Sequence, residues 1–154
     1  MRRWVRSVRA LMLSALVLGI GMQAAQAQSL TTVTVMIAGF RNVEGVALVT
    51  LYDSEQNWLK MPKAVQVVRA PLKGSELRID FKDVKPGTYA LQVVHDENKN
   101  NKLDMRWLPY PKPIEGVGVS NDPDNKAGAP KWEAAKFDVG PAPASIKVTV
   151  RYVE

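Results

Sequence analysis

The stretch Glu76-Leu77-Arg78-Ile79-Asp80-Phe81-Lys82-Asp83-Val84-Lys85-Pro86-Gly87-Thr88-Tyr89-Ala90-Leu91-Gln92-Val93-Val94-His95 decides the fold. Leu77, Ile79 and Phe81 alternate with Glu76, Arg78 and Asp80, the period of a strand with one buried and one wet face. Lys85-Pro86-Gly87 is a turn that opens directly into a second strand, Tyr89 to His95. Outward from there, Val33, Val35 and Ile37 alternate with Thr32, Thr34 and Met36, and Ile146, Val148, Val150 and Tyr152 alternate with Lys147, Thr149 and Arg151. Val46 to Tyr52 is apolar on both faces, as a strand covered on both sides is, and Val65 to Ala70 completes six strands. Asn42 to Gly45 and Pro71 to Ser75 supply further turns, and only residues 54 to 63 and Trp132 to Phe137 offer a turn of helix. Short strands at this spacing, without a repeat or an interdomain linker, predict an all-β protein, a single Greek-key β-sandwich of about seven strands.

The chain has 154 residues, 21 Lys and Arg against 15 Asp and Glu, one His and no Cys, for a net charge of +6. The length suits one domain. Arg2, Arg3, Arg6 and Arg9 precede an apolar run from Leu11 to Ile20, and Ala25-Gln26-Ala27 follows with small residues two apart. That order is a basic region, a hydrophobic region and a cleavage site, and it predicts a signal peptide over residues 1 to 27, cleaved near Ala27. The alternative is a membrane anchor, which the run is too short to form, since a bilayer span needs about 20 residues. The domain is then residues 28 to 154, periplasmic or secreted, with no transmembrane segment in the mature chain. Without the four arginines of the leader it has 17 basic and 15 acidic side chains, and the charge argument for a nucleic-acid partner disappears. The absence of Cys excludes disulfides and thiolate chemistry, and one His excludes a zinc site built on several imidazoles.

Residues 96 to 131 are rich in Pro, Gly, Asn and Asp, and a loop of this length is commonly functional or disordered. Trp107, Leu108, Tyr110, Ile114, Val117, Val119 and Trp132 supply apolar surface, which predicts an ordered loop packed on one end of the sandwich. At its start, Asp96, Asn98, Asn100 and Asp104 stand at positions 1, 3, 5 and 9 of a calcium loop, with the Lys102 carbonyl as a further ligand. Calcium requires such spacing because it takes six to eight oxygens, so a tight loop must turn alternate side chains inward. Asn101 stands where Gly makes the sharp turn, and Asn visits the left-handed region more readily than most residues. Position 12, an acidic residue in an EF-hand, is Trp107, and Glu115 or Asp122 would have to complete the shell. The competing expectation is a hairpin whose Asp and Asn side chains cap their own backbone.

His95 ends a core-facing alternation and is expected as a structural histidine, bonded to a loop carbonyl or to Glu115 at the edge of a recognition surface. The sharper alternatives are a general base or a copper ligand. Ser120 follows Gly116-Val117-Gly118-Val119, which is not a nucleophile elbow. Trp107-Leu108-Pro109-Tyr110-Pro111-Lys112-Pro113 is either a recognition surface, for an envelope protein or a glycan ring stacked on Trp107 or Tyr110, or a strap whose aromatics close the sandwich.

Gly87-Thr88-Tyr89-Ala90 leading into His95-Asp96-Glu97-Asn98, then Asn100-Asn101-Lys102-Leu103-Asp104, Pro113-Ile114-Glu115-Gly116, Gly118, Ser120-Asn121, Ala129-Pro130, Ala134, Ala135 and Phe137 form an ordered set. Together with Gly45-Val46-Ala47-Leu48 and Tyr52-Asp53, this set resembles the exported bacterial family known as domain of unknown function 2141. The resemblance implies an immunoglobulin-like or transthyretin-like β-sandwich in the cell envelope, with no established activity. The family pattern has Gly where this chain has Asn101, and fewer prolines between Asp104 and Glu115. The transthyretin-like hydroxyisourate hydrolases use several histidines, so their chemistry does not carry over. The leading expectation is a non-catalytic binding module whose Asp96 to Asp104 loop binds Ca2+ and orders a surface of Trp107, Tyr110 and Glu115. A metal-independent structural or partner-binding protein is the alternative, and a hydrolase using His95 the third.

Overall fold

The structure, a computed structural model, describes residues 29–124 and 128–153. The leader expected over residues 1 to 27 lies outside them. Five strands come first: β1 (Thr31–Ala38), β2 (Val46–Tyr52), β3 (Gln66–Pro71), β4 (Glu76–Val84) and β5 (Gly87–Asp96). A two-stranded ribbon follows, β6 (Met105–Arg106) and β7 (Lys112–Pro113), and then β8 (Gly116–Val119), a helical turn α1 (Trp132–Ala135), β9 (Phe137–Val139) and β10 (Ala144–Thr149). The six expected strands all form. Two 3-10 turns, Glu55–Asn57 and Met61–Lys63, and α1 stand where the helical turns are expected.

The strands make an all-β sandwich. One sheet has the order β10-β1-β4 and the other β3-β2-β5-β8, with β9 pairing the first residues of β5. β1 runs parallel to β10 and antiparallel to β4, so the first strand is central in its sheet. This differs from the immunoglobulin constant-type order, in which the first strand neighbours the second. The Lys85-Pro86 turn passes the chain from one sheet to the other, because β4 and β5 belong to different sheets. Val33, Val35 and Ile37 of β1, Ile79 and Phe81 of β4 and Val148 of β10 pack against Ala47, Val49 and Leu51 of β2 and Leu91 and Val93 of β5.

β2 is buried along its whole length, because the outer face of its sheet is covered as well. Tyr52 and Ala90 lie under Trp58, Trp132 and Ala135, and Leu48 and Val94 under Met61 and Leu103. The Trp58 indole N–H donates to the Pro130 carbonyl at 2.7 Å, tying the segment after β2 to the one before α1.

The stretch from 96 to 131 is more regular than expected. Gly116–Val119 is a paired strand, with Gln92 opposite Val119 and His95 opposite Gly116. Val117 and Arg151 exchange backbone hydrogen bonds of 2.9 and 2.8 Å, which joins β8 to the chain beyond β10 and closes this side of the sandwich.

Candidate functional site

β5 carries His95 and Asp96 to the end of the core, and both are fully buried. His95 uses both ring nitrogens: Nε2 donates to the Glu44 carbonyl at 2.7 Å, and Nδ1 is hydrogen-bonded to the Tyr152 hydroxyl at 2.6 Å. Tyr152 Oη in turn accepts the Arg41 backbone N–H at 3.1 Å. The expected bond to a loop carbonyl is present, with Tyr152 in the place considered for Glu115. His95 is therefore not an exposed member of a recognition surface. Ser120, also fully buried, accepts the Leu91 N–H and donates to the Ala135 carbonyl, and Leu91 lies four residues along β5 from His95.

The Asp96 carboxylate is satisfied by the loop it begins. Oδ1 accepts the Asn100 N–H at 2.9 Å and Oδ2 the Asn101 N–H at 2.8 Å. Both bonds need a sharp reversal, and Lys99 and Asn101 adopt the left-handed conformation, with φ of 63° and 64°. Gly45 lies against the same corner, and its absent side chain decides the fit: a Cβ there would stand 2.1 Å from the Asp96 carbonyl oxygen. Glu115, 4% exposed, spans the loop from below, its Oε1 accepting the Glu97 N–H at 3.1 Å and Oε2 the Asp104 N–H at 3.0 Å. Burial pushes its carboxyl above the ordinary value.

Asn98 and Asn100 turn their amide N–H groups onto Asp104 Oδ2, at 2.6 and 2.8 Å, and these bonds hold the Asp104 carboxyl below its ordinary value. Their oxygens accept the backbone N–H groups of Asn100 and Lys102, at 3.0 and 3.1 Å. Outside the loop, Glu97 takes the Arg41 guanidinium, with Nε 2.8 Å from Oε1, and the Asn42 amide at 2.7 Å. The Arg41 hydrogen bond holds the Glu97 carboxyl down. Arg41 also lies over the Tyr152 ring, 4.5 Å from its centroid, within cation–π range.

Of the residues named for a metal shell, Asn98, Asn100 and Asp104 therefore meet around one oxygen, while Asp96 and Glu115 direct their carboxylates at backbone donors. Lys102 contributes an N–H to Asn100, and Asp122 is engaged elsewhere, by Thr149. Among the described residues, no set of three or more His, Cys, Asp and Glu comes together as a metal-holding group. Arg41, Glu97 and Tyr152 complete the corner without having been singled out. Tyr152 ends the alternation that begins at Ile146 and Glu97 belongs to the ordered set that carries the family resemblance, whereas Arg41 carries no pattern in the sequence.

Beyond Asp104 the β6–β7 ribbon lifts the chain away from the sandwich. Trp107, Leu108 and Tyr110 are 70%, 79% and 63% exposed, and Ile114 is exposed too. These side chains do not close the core, in contrast to Val119 and Trp132 further on, which are buried. The strap and the capped loop form one unit, because Ile114 N–H bonds to the Asp104 carbonyl and the adjacent Glu115 holds both ends of the loop.

A family model described as an uncharacterized protein conserved in bacteria, DUF2141, matches residues 35–147. No curated protein and no solved structure matches the chain.

Proposed function

The chain belongs to this uncharacterised bacterial family, domain of unknown function 2141, and from that premise we propose that it is a non-catalytic, exported binding module of the cell envelope. Its recognition surface is the strap from Trp107 to Tyr110. The observation that carries the reading is that exposed strap, braced by carboxylates whose oxygens all face protein donors. Three large apolar side chains held out of a well-formed core mark a surface that meets something else. The buried, doubly bonded His95 and buried Ser120 support the non-catalytic part, and the leader pattern of residues 1 to 27 supports export. In a pulldown from bacterial envelope extract, the double variant W107A/Y110A is expected to lose most of the captured material while keeping the wild-type melting temperature, since exposed residues contribute little to stability. Equal capture by the two proteins overturns the proposal.

A second reading is favoured by the meeting of Asn98, Asn100 and Asp104, together with the left-handed Asn101 at the sixth position. Turning over the two amides would bring three side-chain oxygens to one point, the beginning of a calcium shell. The metal-independent reading expects the same melting temperature in millimolar calcium and in chelator. A ligand bound only to the folded state at about 100 times its Kd adds about 2.7 kcal/mol, so a rise of several degrees in calcium establishes the second reading instead.

A further inference from the structure

The outer face of the β3-β2-β5-β8 sheet is covered over Tyr52 and Ala90 by Trp58 and Trp132, and over Leu48 and Val94 by Met61 and Leu103. Gln92 stands between Ala90 and Val94 on that face of β5, and it is only half-buried where both neighbours are fully buried. A cleft of about 390 Å³ opens there, lined by Gln92 and Val94 of the sheet, Leu59 and Met61 of the segment after β2, and Lys102 and Leu103 of the loop after β5. Its size and its apolar lining with a few polar groups are those of a small-molecule site. Leu59 lines it from a left-handed backbone conformation, φ 59°, which a leucine adopts only at a cost. The Tyr52 hydroxyl donates to Gln92 Oε1 at 3.2 Å, so the amide N–H groups are the end left over. No described residue accepts from them, and a half-buried donor without an acceptor favours an oxygen brought by a ligand. Of the described lining residues Lys102 alone is charged, and it is exposed. Asp104, whose carboxyl feels the Lys102 charge, accepts from Asn98 and Asn100 and makes no ion pair with it.

We propose that this cleft binds a medium-chain alkyl carboxylate. The alkyl chain lies against Leu59, Met61, Val94 and Leu103, and the carboxylate accepts from the Gln92 amide and faces the Lys102 ammonium. None of Trp107 to Tyr110 lines the cleft, so this site and the strap stand or fall separately. An apolar side chain from a second copy would fill the same walls but bring no charge to Lys102, and that complementarity is what favours the carboxylate.

The test uses residues 28 to 154, which contain every described strand and the whole described core. Titration calorimetry with octanoate, nonanoate and decanoate is expected to give saturable one-to-one binding whose affinity rises about fourfold for each added methylene group. L59G removes one wall and suits the left-handed backbone, so it is expected to keep the fold and to weaken decanoate binding about fivefold. K102A is expected to weaken decanoate binding about two- to fivefold while leaving that of decanol, which has no charge, unchanged, and W107A/Y110A to bind decanoate as the wild type does. The absence of saturable decanoate binding, an affinity independent of chain length, or binding that L59G leaves unchanged overturns the proposal. Decanoate binding that K102A leaves unchanged overturns the carboxylate assignment, and binding lost in W107A/Y110A puts the acid on the strap instead of the cleft. If decanoate fails to bind and the protein self-associates in a way that L59G abolishes, a second copy occupies the cleft and the carboxylate proposal falls.

Discussion

A carboxylate buried at the end of a strand is destabilising unless its oxygens find donors. Asp96 meets this condition with two N–H groups from the loop that it opens. Asn in its place would keep one acceptor and turn an N–H group toward a second N–H group. Asp96→Asn is therefore expected to lower stability by about 1 to 3 kcal/mol, read as a fall in Tm or in the denaturation midpoint. An unchanged midpoint would show that the two bonds hold nothing in place. The alternation of oxygen-bearing side chains from Asp96 to Asp104 was legible in the sequence, but the direction in which each oxygen points was not. The deciding donors are backbone N–H groups that every sequence has, and they become available only once Lys99 and Asn101 reverse the chain. His95 was legible as a structural residue from its place in the β5 alternation. Its partner Tyr152 lies 57 positions away and reaches it only through the joining of the chain beyond β10 to β8.

At the scale of elements, six strands were legible because each has its own period, whereas β8 was not. Gly116 and Gly118 fall in the stretch expected as an ordered loop, yet they stand in a paired strand and neither adopts a positive φ; what they provide is room. A Cβ on Gly118 would stand 2.7 Å from the Thr149 carbonyl oxygen and 2.8 Å from Val148 Cγ1, and one on Gly116 would stand 2.5 Å from the Tyr152 ring. The glycines let the end of β10 come close to β8, and that approach brings Tyr152 over His95. Because the obstacle at Gly118 is backbone, no rotamer change relieves it, and overpacking of this kind costs about 1 to 3 kcal/mol. Gly118→Ala is expected to lower Tm by several degrees. Gly140→Ala, with open space around the position, is expected to leave it unchanged. Equal melting temperatures for the two variants would contradict the close approach. The ribbon and strap were misjudged because apolar content predicted docking, whereas Trp107, Leu108 and Tyr110 stand exposed in the segment that joins β6 to β7.

For the molecule as a whole, the acid side of its stability depends on which carboxylates gain and which lose by folding. Glu97 is held below its ordinary value of 4.5 by Arg41 first and Asn42 next, Asp104 by Asn100 and Asn98, and Asp80 by the Thr34 hydroxyl and Arg78. A carboxyl lowered by folding contributes stability that is present above its unfolded value and is lost as the pH falls through its folded value. Glu115 runs the other way: burial raises it, so its protonation removes a buried charge and favours the folded state as the pH falls. Three lowered groups oppose one raised group. Stability is therefore expected to hold from neutrality to about pH 5 and to decline below it. Glu97 is the group to vary, because its pairing joins the turn after β1 to the end of β5 and lies against the His95 and Tyr152 corner. Glu97→Gln cannot titrate and does not attract Arg41 as an anion does, so its denaturation midpoint is expected to be lower than that of the wild type at pH 7 but to fall less steeply between about pH 5 and pH 3. High salt is expected to reduce the difference between the two proteins, since Arg41 is half exposed and its pairing is screened. A Glu97→Gln profile as steep as the wild type would place the acid sensitivity elsewhere, at the Asp104 cluster of the loop or at Asp80 on the opposite sheet.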